Sequence, residues 1–575
     1  MDVDTSGGLL APIRRLRECV AELRLPLESS GAAAARTSSA AVVGQLDDHI
    51  LPRVQHLDAP ALVVVGGSTG SGKSLVVNAI VGADVSRSGV LRPTTRSPAL
   101  VHHRNDADWF AGPTILPGLA RTTGPEQVSD DAHRELRLVA STALPEGVAL
   151  LDAPDIDSID AANRALATQL LAAADVWVFV TTAARYADAV PWGFLHQARD
   201  RGTPLVLLLN RVPPGAMATI ETHLRSLLAQ NDLVDVTLFG IDEQALDGGR
   251  LRADAVAPLH AWLDHLGADR DARSEMVRRS LRGSLEELLT RCTCIAEAAD
   301  HQATVTAGLR KISARQYEEA HAAVRTAVGE GQVLRGEVLS RWEEFVGTGE
   351  LMRQLRTGLG RLRDRVTGAI TGRPKFTEQL TGAVEGVVER LVRNHADAAA
   401  AATLAEWRAH PAAAALLDDP GGVEALQQGL GRSSTELVSH TAQLVRDWQG
   451  SLLDLIRSQG AHRRSTARFL SVGVNGLSMV LMVLVFAHTG GLTGGEVAIA
   501  GGTSAVGHAL LESLLGDENL RRLAGQARAD LDLRIGEVYA QEEQRFTDVL
   551  DQLGVHADGG TALRAAVAAT RRALG

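Results

Sequence analysis

Lysine is almost missing from this chain. Of 575 residues only Lys73, Lys311 and Lys375 are lysine, and the remaining 55 of the 58 basic residues are arginine. Aromatic residues are also scarce, at 3%. That scarcity, with the abundance of Ala, Leu and Arg, argues against sandwiches and barrels and for helices. The three cysteines, Cys19, Cys292 and Cys294, cannot make a disulfide framework. Cys292 and Cys294 have no further cysteine nearby to complete a zinc site and read as reduced helix residues. The net charge of −11 excludes the whole chain as an electrostatic trap for nucleic acid, so no nucleic-acid partner is expected. The opening "MDVDTSGGLL" lacks a basic start and an apolar core, so no signal peptide is read and the bulk of the chain is expected on the cytosolic side. No Ser-His-Asp or H-E-x-x-H arrangement occurs.

What is present changes along the chain. Residues 1–57 read as N-terminal helices that join a bundle, broken near Pro26. Between 58 and 265 short apolar runs recur: 61–66, 98–103, 148–153, 175–182, 204–210 and 236–241. Most are apolar on both faces and are separated by helix-length amphipathic stretches. That is the signature of a parallel-rich sheet covered on both sides, an α/β head. Residues 266–460 are nearly all helix-forming and read as an extended helical bundle or stalk. Leu351, Leu355, Leu359, Leu362 and Val366 mark one helix face within it.

Long uncharged runs are absent until residues 469–487, "FLSVGVNGLSMVLMVLVFA", which carry no charge. As a helix this segment is about 28 Å long, close to a bilayer core of about 30 Å. A glycine-rich break and a weaker apolar segment at 497–515 follow, the latter interrupted by His508 and Glu512. Arg463, Arg464 and Arg468 flank the pair on one side, Arg521, Arg522 and Arg528 on the other, and the connecting loop has neither Lys nor Arg. Residues 461–516 are therefore expected to form a membrane hairpin with both chain ends cytoplasmic. Whether it spans or only inserts is open, and a buried core helix pair is the alternative. Residues 517–575 return to soluble helix.

The retained Lys73 lies in Gly67-Ser68-Thr69-Gly70-Ser71-Gly72-Lys73-Ser74, which fits G-x-x-x-x-G-K-[ST]. An apolar strand precedes it and an amphipathic helix follows, as a phosphate-binding loop requires. Its glycines let successive N–H groups face phosphate oxygens, and the helix N-terminus adds a positive dipole end. Ser74 supplies a hydroxyl for Mg2+. Lys73 reaches the β- and γ-phosphates as a compact ammonium, which a planar guanidinium does not replace. This predicts a P-loop NTPase.

Four further stretches resemble GTPases of the dynamin family. Thr95-Arg96-x-Pro98 in "RPTTRSPAL" resembles the first-switch pattern T-R-x-P, which makes Thr95 the switch threonine reaching Mg2+ and γ-phosphate. "LLDAPDIDS" ends an apolar strand in Asp152, implied to hold Mg2+. "VFVTTAARYADAVPW" resembles the segment after the next strand, and "LVLLLNRVPP" puts Asn210 and Arg211 where the base-reading N-K-x-D belongs. Together with "GVLRPTTRSP" and "WEEFVGTGEL", these phrases resemble paired actinobacterial dynamin-like proteins of the sporulation-septation type, one partner of which carries a C-terminal membrane hairpin. The resemblance implies GTP and Mg2+ as cofactors, with Lys73 and Thr95 as catalytic residues. It also implies membrane lipid as a partner, self-association through heads and stalk, a paired paralogue and division proteins. The implied location is the cytoplasmic side of the cell membrane, and the implied role is membrane remodelling or stabilisation at the septum.

The sequence departs from the family pattern at three places. Asp155 stands for the glycine of D-x-x-G, Pro213 for the aspartate that reads guanine, and Gly70 for a P-loop serine that helps hold a monovalent ion. Two alternatives therefore stand beside the GTPase: a nucleotide-binding membrane scaffold with little turnover, and a membrane-tethered ATPase or transporter regulator. Arg185 reads as an arginine finger or an ordinary surface arginine, and Asp188 as a nucleotide-side or loop-capping residue. The basic run from Arg353 to Lys375 reads as a lipid contact or a solvated helix face.

Overall fold

"ALVVVGG" is buried at every position from Ala61 to Gly67, which only a strand flanked on both edges and covered on both faces achieves. In the computed structural model it is the central strand of an eight-stranded sheet. The structure describes residues 3–86, 97–112, 115–124, 134–158, 160–233, 236–334, 338, 340, 375–418, 423–424, 426, 429–460, 485 and 517–575. Thr95, the leucine stripe at 351–366, "WEEFVGTGEL" and the expected hairpin apart from Val485 lie outside the described residues.

The chain begins with α1 (Val3–Glu22), α2 (Ala32–Gln45), a π-helical turn (Leu46–Ile50) and α3 (Leu51–Gln55). The sheet region follows as β1 (Ala61–Gly67), α4 (Lys73–Val81), β2 (Ala99–His103), α5 (Ala107–Ala111), β3 (Ala120–Thr123), β4 (Glu135–Ser141) and β5 (Val148–Asp152). It continues with α6 (Ala161–Ala172), β6 (Val176–Thr182), α7 (Ala189–Asp200), β7 (Leu205–Val212), α8 (Met217–Gln230), β8 (Thr237–Asp242) and α9 (Ala253–Ala268). The strand order is β3-β4-β2-β5-β1-β6-β7-β8. Every pairing is parallel except β2 with β5. Six of the eight strands coincide with the apolar runs. The two the runs missed are β3 "ARTT", the edge strand, and β4 "ELRLVAS", its neighbour, both of which are only partly buried and interleave polar with apolar residues.

Helices α10 (Arg270–Gly329), α11 (Lys375–Ala409), α12 (Pro411–Asp418), α13 (Leu437–Gly460), α14 (Asp517–Asp551) and α15 (Gly559–Leu574) make up the large helical region. The chain divides into two compact units. One holds Met1–Leu25, Ser30–His301 and His556–Gly575; the other holds Pro26–Ser29 and Gln302–Val555. In the first, Leu9, Ile13 and Leu16 of α1 pack with Leu281, Leu285, Leu288 and Cys292 of α10 and with Leu563 of α15. The 4–3–4 spacing along α10 puts those side chains on one helix face. Burial pushes the Cys292 thiol up to about 12, so it behaves as a small apolar residue. In the second unit the core is anchored by Trp407, Trp448, Tyr539 and Phe546. Their polar tips are satisfied: Trp407 donates to the Leu309 carbonyl at 3.2 Å, Trp448 to Ala527 at 2.8 Å and Tyr539 to Val392 at 2.9 Å. Among the described residues no helix is long and apolar enough to cross a membrane.

One buried polar cluster joins the N-terminal helices to the sheet. Arg53 of α3 donates to the carbonyls of Ala59 and Pro60, each at 3.0 Å, and to the Asp175 carboxylate at the foot of β6. His49 lies beside them, fully enclosed. Burial, reinforced by Arg53 and Arg201 against the opposing pull of Asp175, lowers its pKa to about 4 from 6.5. The unfolded chain then binds a proton that the folded one refuses between pH 6.5 and about 4. Stability is lost as pH falls through that window, by about 3 kcal/mol in all. We expect hydrogen exchange of the first unit to accelerate from pH 7 to pH 5, after correction for intrinsic rates. His49→Gln should flatten that dependence; an unchanged slope would refute the assignment.

Candidate functional site

Positive φ angles cluster where β1 gives way to α4: +150° at Gly67, +75° at Gly70 and +98° at Gly72. L side chains rarely adopt these conformations. Two positions are also closed by close approach. A Cβ at Gly67 would come within 2.1 Å of the Val180 carbonyl oxygen, and one at Gly72 within 2.4 Å of Asn210 Nδ2. The loop thus curls between the ends of β1, β6 and β7, at the point where the chain connections leave β1 in opposite directions. In open α/β sheets that is where ligands bind.

Lys73 opens α4 and is 5% exposed. Its ammonium donates to the carbonyls of Gly67 at 3.0 Å and Ser68 at 3.2 Å, so the loop wraps its own lysine. The third partner is Asp155, whose carboxylate accepts from Nζ. The residue that replaces the D-x-x-G glycine therefore sits on the cation that a phosphate would require. The cation that relieves its charge is Lys73 itself.

Beside this pair, Ser74 Oγ donates to Asp152 Oδ2 at 2.7 Å, and Ser86 donates to the same oxygen. Asp152 is fully buried at the end of β5. Burial raises its pKa, against the hydrogen bonds of Ser86 and Ser74 and the charge of Lys73. Its other oxygen, Oδ1, has no partner among the described residues, nor do the buried hydroxyls of Ser68 and Ser71. Orphaned buried polar atoms of this kind cost free energy unless a ligand meets them. This donor set fits a divalent cation, which Ser74 and Asp152 would hold, and a phosphate group, which the loop would bind.

Asn210 ends the buried part of β7. Its Nδ2 donates to the Ser71 carbonyl at 2.8 Å, and its Oδ1 accepts from Arg211 N at 2.9 Å. It thereby ties the loop to β7. Arg211 is exposed, at φ +54°, a left-handed conformation that a non-glycine residue holds at a cost. Pro213 follows and brings no carboxylate; its carbonyl accepts from Ala216 N at 3.0 Å in a turn.

Sequence reasoning gave no role to Asp157. Its carboxylate accepts from Thr69 N at 2.6 Å and Thr69 Oγ1 at 2.7 Å. Arg185 completes the clasp. It donates to Asp157 at 3.1 Å, to Asp188 at 2.9 Å and to the Thr69 carbonyl at 3.1 Å. Partial burial raises the Asp157 pKa, but the Thr69 and Arg185 hydrogen bonds outweigh it and hold the group below its ordinary value. The signal in the sequence was the run of acids in "DAPDIDS", read only for Asp152 and Asp155.

Structure comparison finds a member of an oligomerised bacterial dynamin pair, described as a mechanism for the long-range sensing and tethering of membranes. Identity is 10%, covering 93% of this chain and 91% of that one, with a TM-score of 0.35. A second chain from such a pair is 11% identical over 97% of this chain and 83% of its own, TM-score 0.29. An Aquifex aeolicus Era variant bound to GDP·AlF4− is 16% identical over 31% of this chain and 50% of its own, TM-score 0.21. No curated protein matches the chain. Residues 63–212, from the second residue pair of β1 to the end of β7, match the model of the dynamin family.

Proposed function

We propose that the chain is a dynamin-like GTPase that binds GTP with Mg2+ and works at a membrane. The observation that carries the reading is Lys73, buried in its own loop beside the Ser74–Asp152 pair with an orphaned Asp152 oxygen. In this reading Gly67 to Ser74 enclose the phosphates, and Ser74 and Asp152 hold Mg2+ together with Thr95. The cation neutralises charge on the phosphate oxygens. Asn210 and Arg211 flank the base. The apolar run at 469–487 supplies the membrane contact, with self-association and a septal role following from the family resemblance.

Asp155 on Lys73 favours a second reading, a nucleotide-binding scaffold with slow turnover, because nucleotide must displace a carboxylate before Lys73 is free. Labelled GTP and ATP, tested side by side with and without liposomes, separate these readings. GTP binding with Mg2+-dependent turnover is expected. Binding without turnover leaves the scaffold, ATP preference sinks both, and failure to bind either nucleotide sinks the reading altogether.

A further inference from the structure

Among the buried arginines of the first unit, Arg53 and Arg201 are treated differently. Arg53 has two carbonyls and a carboxylate. Arg201, at the end of α7, is only 9% exposed, yet its guanidinium has no hydrogen-bond partner among the described residues; Nη1 is a fully buried orphan. Its place is fixed by backbone contact. Gly202, at φ +62°, and the Arg201 carbonyl press against α10 at Gly283, where a Cβ would come within 2.2 Å of that oxygen. A buried guanidinium without a hydrogen-bond acceptor is expensive, and the nearby Glu287 carboxylate, itself paired with Arg291, offsets that cost only in part.

Arg201 lines a cavity of about 290 Å³ between α2, the π-helical turn, α6 and α10. Arg291 lines it too, paired with Glu287 at 3.3 Å. The other polar walls are Gln45, Asp48, His49 and Gln169. Asp48 accepts from Gln169 at 2.7 Å, and burial raises its pKa from the ordinary carboxylate value. Gln45 Nε2 and His49 Nε2 are orphaned like Arg201 Nη1. The cavity therefore has two guanidiniums, the Asp48 carboxylate held by Gln169 on its wall, the ion-paired Glu287 beside it and three polar atoms without partners. π-Helical turns, like the one carrying Asp48 and His49, occur often at functional sites.

We propose that this cavity binds a small oxyanion-bearing molecule, its phosphate or carboxylate seated on Arg201. The volume suits a compact metabolite-sized ligand and not a polymer. An arginine fork matches either oxyanion with two parallel hydrogen bonds. The site is separate from the Lys73 loop, and its occupant would bridge the N-terminal helices, α6 and α10.

The test uses full-length Lys73→Ala protein, so that the phosphate loop contributes nothing. Inorganic phosphate and citrate are titrated separately by calorimetry. Saturable binding of either, with Kd at or below about 1 mM, is expected. Arg201→Gln should weaken it at least tenfold, about 1.4 kcal/mol. Gly44→Phe tests the cavity without touching a charge: Gly44 lines it, and a Cβ there meets nothing within 4 Å. It should block binding as well. Arg201→Gln should leave the unliganded midpoint of thermal unfolding unchanged or higher, whereas a structural arginine would lower it on removal. No saturable binding in Lys73→Ala, or affinity in both cavity variants unchanged from that parent, overturns the proposal.

Discussion

Lys73→Ala should weaken GTP binding by at least about 30-fold, the loss of one buried charged partner worth roughly 2–5 kcal/mol. Lys73 is 5% exposed and has three acceptors from the protein itself, so its charge is already compensated. Nucleotide must take the place of the Asp155 carboxylate. Removing the lysine leaves Asp155, 26% exposed, with no cation beside the incoming phosphates. The loss therefore has two parts, attraction removed and repulsion uncovered. Asp155→Gly separates them. In the wild-type background it should tighten GTP binding several-fold, by removing the competitor for Nζ. In the Lys73→Ala background it should restore part of the lost affinity. Equal effects of Asp155→Gly in both backgrounds would mean that the two residues act independently, and the latch would be refuted. Nucleotide affinity by fluorescence titration, with circular dichroism as the control for folding, supplies the measurement.

The parallel-rich head was legible because its strands are buried on both faces and announce themselves as apolar runs. β1 and β6 are such runs, buried at every position. β3 was not legible, since an exposed four-residue edge strand of Ala, Arg and Thr has no hydrophobic pattern to read. The loop Gly67 to Ser74 was legible because glycine at positive φ, lysine and serine are dictated by local chemistry. The contacts that modify it were not. Asp155 on Lys73 and Asp157 on Thr69 bridge 82 and 88 residues of chain, and no spacing rule reports such a pair. The sequence identified Asp155 as a departure from the D-x-x-G glycine; it could not say that its carboxylate pairs with the motif's own lysine. Arg201 was illegible for a similar reason. One of 55 arginines becomes unusual only once the fold has taken away its solvent.

Asp175→Ala should destabilise the first unit by about 3–5 kcal/mol, the usual cost of breaking a buried ion pair from one side. Asp175 is fully buried, and its Oδ2 accepts from Leu62 N at 2.8 Å as well as from Arg53. Truncation strands the Arg53 charge, 5% exposed, with only two carbonyls, and it removes a partner from an amide at the start of β1. Both losses fall on the strand that leads into the phosphate loop. Hydrogen exchange in β1 and β6 should therefore rise together by about two orders of magnitude or more, since each 1.4 kcal/mol is tenfold. The pair itself is not a net source of stability on this argument, because two desolvated charges gain little over apolar residues of the same volume. Arg53→Met with Asp175→Leu should accordingly be much milder than Asp175→Ala alone. If the double variant is as unstable as the single one, packing and not the stranded charge sets the cost. If Asp175→Ala costs less than about 1 kcal/mol, below the usual range for a buried partner, the ion pair is not what ties α3 to the sheet.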